Sequence, residues 1–73
     1  NININFSLAN LEKISISVFD LNGNLIEKLI DNKLMESGNY DITWNASDRA
    51  SGIYFVNFVN NKKVSTQKII LQK

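Results

Sequence analysis

Apolar and polar residues alternate from the first position, with Ile2, Ile4, Phe6 and Leu8 interleaved with Asn1, Asn3, Asn5 and Ser7. A period of two is that of a strand with one buried and one wet face. After the polar break Ala9-Asn10-Leu11-Glu12 the alternation resumes with Ile14, Ile16 and Val18, and it slips at Val18-Phe19-Asp20-Leu21, where a bulge or a strand end near Phe19 is expected. Asn22-Gly23 separates this run from Asn24 to Ile30. Both residues of the pair tolerate positive φ, which predicts a type I′ hairpin. Leu25, Ile26, Leu29 and Ile30 also fit one face of a helix, but so short a segment does not hold a helix alone, and the turn before it favours a strand.

Asp31-Asn32-Lys33 reads as a turn, Leu34-Met35 as a short apolar touch, and Glu36-Ser37-Gly38-Asn39 as a second turn in which Gly38 takes a positive φ. Tyr40, Ile42 and Trp44, alternating with Asp41, Thr43 and Asn45, give another half-buried strand, and a loop follows to Gly52. Ile53 to Val59 is apolar on both faces except at Asn57, the pattern of a central strand covered from both sides. Asn60-Asn61 turns the chain, and a last strand is expected from Lys62 through Leu71. With about six to seven strands, short connections, no convincing helix and no internal repeat, the pattern predicts an all-β fold. The expected architecture is a small antiparallel immunoglobulin-like β-sandwich forming a single domain over residues 1–73.

Seventy-three residues, 44% of them hydrophobic and 21% charged, suffice for one globular domain but leave little apolar area for a deep catalytic cleft. Histidine and cysteine are absent, which removes the commonest general base, thiol nucleophiles, disulfides and nearly all zinc chemistry. Carboxylates remain. A glycosidase needs a pair of them roughly 5 to 10 Å apart, and Asp20, Asp41 and Asp48 are the candidates. A place before a hairpin turn, on a wet strand face and in a loop gives each an ordinary structural role, so the chain is read as not an enzyme. A calcium site of Asp48, Asn45 and backbone carbonyls has no EF-hand spacing behind it; no metal or cofactor is expected. Tyr40, Trp44, Tyr54 and Phe55 could form a sugar-stacking platform, but their apolar strand patterns aim them at the core.

The net charge of +1 is unevenly spread: the first sixty residues hold all seven acids, and the tail from Asn61 holds four lysines and none. Lysines on an edge strand discourage edge-to-edge aggregation; a partner that reads the strand would use the same charges. The tail has no aromatic residue after Phe58, against the interleaving of rings and bases that single-stranded nucleic acid requires. No stretch approaches the ~20 apolar residues of a membrane-spanning helix, so neither nucleic acid nor membrane insertion is expected. A start at Asn1 without Met or leader leads to the expectation of a piece cut from a longer protein.

Several segments, in order along nearly the whole chain, resemble one family. Phe6-Ser7-Leu8, Ile16 to Gly23, Leu34 to Gly38, Ile42-Thr43-Trp44-Asn45, Ser51-Gly52-Ile53-Tyr54-Phe55 and the closing Lys68-Ile69-Ile70-Leu71-Gln72-Lys73 are similar to the type A C-terminal sorting domain of the type IX secretion system of Bacteroidetes. The immunoglobulin-like module of flagellar hook-capping proteins shares the short motifs, and the basic-aliphatic closing strand separates the two. The resemblance implies an address label at the C-terminus of a larger secreted protein. Cargo passes through the periplasm, an outer-membrane translocon and shuttle recognise the folded domain, and a sortase-like peptidase removes it as the cargo is anchored at the cell surface. It further implies that Gly23, Gly38 and Gly52 are turn glycines, that Trp44 and Tyr54 are core aromatics, and that Asp20 belongs to the turn motif. Lys68 and Lys73, flanking Ile69, Ile70 and Leu71, would form the recognition strand of an otherwise monomeric domain. The competing reading is a non-catalytic immunoglobulin-like interaction or carbohydrate-binding accessory module of a secreted enzyme.

Overall fold

The structure, a computed structural model, describes every residue except Lys62 and Lys73. Six strands follow one another: β1 (Ile2–Leu8), β2 (Glu12–Asp20), β3 (Leu25–Met35), β4 (Gly38–Trp44), β5 (Gly52–Val59) and β6 (Val64–Leu71). They form two antiparallel sheets, one of two strands in the order β1-β4 and one of four in the order β3-β2-β5-β6. The alternation of β1 sets its register on β4, Ile2 opposite Trp44 and Phe6 opposite Tyr40, so that the apolar residues of both strands share the face turned to the other sheet.

Ile14, Ile16 and Val18 of β2 and Trp44 of β4 are the most deeply buried large side chains, and Leu8, Ala46, Tyr54, Val56 and Leu71 complete the core. Aromatic contacts tie the layers together. The ring of Trp44 meets that of Tyr54 edge-on at 5.2 Å, and Phe6 stacks on its neighbour Tyr40 at 5.2 Å while touching Phe58 of the opposite sheet at 5.5 Å. All three centroid separations lie in the range that offset-stacked and edge-on aromatic pairs favour. The indole Nε1 of Trp44 is buried with no hydrogen-bond partner among the described residues, so the residue is held by packing.

Four local expectations are corrected. Asn22-Gly23 does not adopt the type I′ turn: Gly23 has φ +87° whereas Asn22 stays at negative φ. The Gly23 N–H donates to the Asp20 carbonyl and the Asp20 N–H to that of Asn24, both at 3.0 Å, closing a three-residue loop with glycine at its left-handed position. The Asp31–Lys33 turn does not form either. β3 runs on to Met35, and Asn32, at φ +49°, is a bulge whose N–H donates to Ser15 Oγ at 2.9 Å; one irregular residue with a side-chain partner costs less than ending the ladder. The slip at Phe19 is a register shift between Val18 and Phe19, as the sequence indicates.

The third correction concerns β5, which lies between β2 and β6 but is not covered on both sides. Tyr54 and Val56 point into the core, while Ile53 is 36% exposed and Phe55 half-buried on the outer face. A two-layer sandwich has no third layer to cover that face. The fourth is the last strand, which begins at Val64; Lys62 lies outside the described residues.

Trp44→Ala is expected to destabilise the domain by about 3 to 5 kcal/mol, since truncating a buried aromatic leaves a cavity that the sheets cannot close. Chemical denaturation of the purified chain measures this, and a change below 1 kcal/mol, within the reach of ordinary surface substitutions, would contradict the placement of Trp44 at the centre of the core.

Candidate functional site

Strand β6 hydrogen-bonds to β5 alone, from Gly52 opposite Leu71 to Val59 opposite Val64. Its other edge is unpaired, so main-chain donors and acceptors face outward along its length. Alternation divides its side chains. Leu71 is buried and Ile69 half-buried, both in the core, whereas Lys68 and Ile70 project from the outer face and Ile70 is 59% exposed. Of the residues expected to mark recognition, the strand therefore presents Lys68 and Ile70 to solvent and commits Ile69 and Leu71 to packing. Lys73 lies outside the described residues. Lys68 makes no ion pair among the described residues; the exposed pair of Lys28 and Asp31, 3.9 Å apart, is on the other edge strand.

Two strands cannot cover four. β1 lies over the β5–β6 side of the larger sheet, and between it and β6 runs a cleft of about 330 Å³ with Ile4, Phe6, Ile16, Val56 and Phe58 along it and Ser65 and Gln67 at its rim. Nothing in this cleft is titratable, and among the described residues no group of three or more Asp or Glu side chains gathers anywhere. Asp20 sits in the hairpin after β2 and Asp41 faces out of β4 opposite Asn5. Asp48 lies in the loop after β4, where Asn45 Oδ1 already accepts the Ser47 N–H at 3.2 Å. Of the aromatic residues weighed as a sugar platform, Trp44 and Tyr54 are buried, Tyr40 is stacked on Phe6, and Phe55 alone lies on an outer face.

The motif residues build turns. Asp20 Oδ1 accepts the N–H groups of Asn22 and Asn24, each at 2.9 Å, and Oδ2 accepts Asn24 Nδ2 at 3.3 Å. The backbone N–H of Asn24 is the largest reason that this carboxyl lies below its ordinary value of 3.8; desolvation opposes it, and the further hydrogen bonds from Asn24, Asn22 and Gly23 add to the lowering. Ser37-Gly38-Asn39-Tyr40 and Ser51-Gly52-Ile53-Tyr54 then repeat one device. Each glycine opens a strand at φ +148° or +157°, and the tyrosine two residues on donates its hydroxyl back to a carbonyl four residues before it, Tyr40 to Glu36 and Tyr54 to Ala50, both at 2.6 Å. The bond ties the loop to the strand that it feeds.

Sequence periodicity did not single out the outward residues of β2, β3 and β5. Phe19 stands opposite both Leu25 and Phe55, Phe55 opposite Lys68, and Ile53 opposite Ile70. The available signal was Ile53 to Val59, apolar on both faces in a chain too short to build a third layer.

Asp20 gives the hairpin a pH dependence of definite sign. A carboxyl lowered in the folded state adds stability above its unfolded value, and that stability is lost as pH falls through the folded one. Asp20→Asn is expected to melt below the wild type at neutral pH, the two curves converging between about pH 5 and pH 2; a gap independent of pH would contradict this. Gly23→Ala is expected to cost roughly 1 to 2 kcal/mol through backbone strain alone, because a Cβ there would meet no atom within 4 Å. Denaturant titration of that variant provides the check, and unchanged stability would contradict the left-handed turn.

Comparison with protein families matches residues 1–72 to the secretion system C-terminal sorting domain, and the chain belongs to that family. No curated protein and no solved structure matches. The domain of this family is the C-terminal sorting signal of type IX secretion, which directs an attached cargo to the cell surface or the medium through the type IX machinery, and the family is not a catalytic one.

Proposed function

We propose that this sorting domain is read in its folded state at the closing strand, and that β6 is its address. One observation carries the reading. β6 is an edge strand that spends Ile69 and Leu71 on the core, so at its closing end a partner meets the free main-chain edge, Ile70 and the unpaired Lys68. Strand addition along such an edge supplies main-chain hydrogen bonds, and the lysine steers an acidic partner into register. Lys73, two residues after Leu71 in the sequence, would add a second positive charge.

On this reading the chain is the terminal domain of a larger secreted protein. The cargo precedes it, crosses the periplasm folded, and is delivered when the outer-membrane translocon or its shuttle engages β6. A sortase-like peptidase then separates the domain from the anchored cargo. Autonomous folding suits such a label, since β1 to β6 share one apolar core and the sequence has no cysteine to cross-link.

A reporter enzyme fused ahead of the domain, in a bacterium with a working type IX pathway, tests the address. The wild-type fusion is expected outside the cell, and Lys68→Glu combined with Lys73→Glu is expected to accumulate folded in the periplasm, because reversing exposed charges shifts stability by no more than about 0.5 kcal/mol. Equal export of both would leave the lysines as protection of the edge only.

A further inference from the structure

The two outer faces of the sandwich differ in kind. On the two-stranded sheet the outward positions are asparagine, serine, threonine and aspartate, as expected of a face against water. On the four-stranded sheet the register lays Leu25, Phe19, Phe55 and Lys68 in one row across all four strands, with Ile53 and Ile70 paired in the next. At ~4.8 Å between strands the row is about 14 Å long. Leu25 is 49% exposed, Ile70 59% and Ile53 36%. A contiguous apolar strip of this kind marks an interaction surface.

We infer that the secretion machinery seats on this outer face, and that the protein partner presents an apolar ridge with a carboxylate placed to meet Lys68. The inference rests on the sorting function and extends the docking surface from the edge of β6 across the sheet to β3. Charge selects the occupant. Lys68 ends the apolar row without an ion-pair partner among the described residues, and the acid that the register brings to this face, Asp31, stands on the far edge strand β3, 3.9 Å from Lys28. A second copy of the chain, docked through the same strip by a two-fold axis, would set each Lys68 ammonium group at the Leu25 end of the other row, while Asp31 stays with Lys28. An anionic membrane would be met by isolated lysines and not by the cluster that lipid surfaces need. An acidic, apolar protein surface satisfies both the strip and its charge.

Leu25→Asp and Ile70→Asp test the face because both side chains stand largely in solvent, and Asn3→Asp on the opposite face keeps the acceptor used by Thr43 Oγ1. As reporter fusions in a type IX bacterium, the wild type, Asn3→Asp and Lys68→Arg are expected outside the cell. Leu25→Asp, Ile70→Asp and Lys68→Glu are expected to fall by about tenfold or more, the loss typical of an interface anchor. Melting of the purified variants shows that they fold, and Leu25→Ser and Ile70→Thr replace any that do not. Undiminished export of folded face variants beside an exported wild type would overturn this inference and leave the sorting function intact, whereas an unexported wild type would remove the function on which it rests. A dimer in sedimentation that Ile70→Asp abolishes, or binding to phosphatidylglycerol vesicles that the same change abolishes, would also overturn it, by giving the strip to a second copy or to a membrane.

Discussion

The edge-on contact of Trp44 with Tyr54, over a floor of Ile14, Ile16 and Val18, is the joint between the two sheets, and the remaining architecture follows from it. β4 belongs to the narrow sheet and β5 to the wide one, so the aromatic pair fixes both their separation and their lateral offset. A domain of this size has little apolar surface to bury. Concentrating it around one large side chain gives a single centre, in which the indole Nε1 has no hydrogen-bond partner among the described residues. The same economy leaves the outlying positions uncovered, because two strands cannot shield the width of four.

Local devices serve that joint. The twice-used serine-glycine-x-tyrosine segment starts β4 and β5 in the strand conformation and binds each loop back through a tyrosine hydroxyl, which delivers Trp44 and Tyr54 to the interface in phase. Asp20 does the equivalent for β2 and β3 by gathering the N–H groups of a left-handed loop. The turn and core residues by which the chain is similar to its family, Asp20, Gly23, Gly38, Trp44, Gly52 and Tyr54, are therefore consumed in folding. On the proposed reading, recognition is left to surfaces that the fold exposes: the free edge of β6, and the outer face of the wide sheet.

A sorting signal made this way needs no chemistry of its own. On the proposed reading its information is a shape with an apolar strip, a free edge and a lysine held in register, and it exists only while the sandwich is folded. Unfolding would scatter Leu25, Phe19, Phe55 and Lys68, which are far apart in sequence and adjacent only through the β3-β2-β5-β6 order.

The sequence by itself determined the all-β class, the positions of most strands, the bulge at Phe19 and the core identity of Trp44 and Tyr54, because a period of two and turn residues are local signals that need no partner strand to be read. It did not determine the geometry of the Asn22-Gly23 loop. There Asp20, two residues outside the pair, bonds Asn22 and Asn24 and selects a three-residue loop over a two-residue one. Nor did it tell that β3 continues through Asn32, since the bond holding that bulge comes from Ser15 on another strand. Above all, periodicity assigns residues to two faces of a strand without saying what lies opposite each. Only the tertiary structure, by stacking two strands on four, decided that one apolar face of β5 became core and the other became surface.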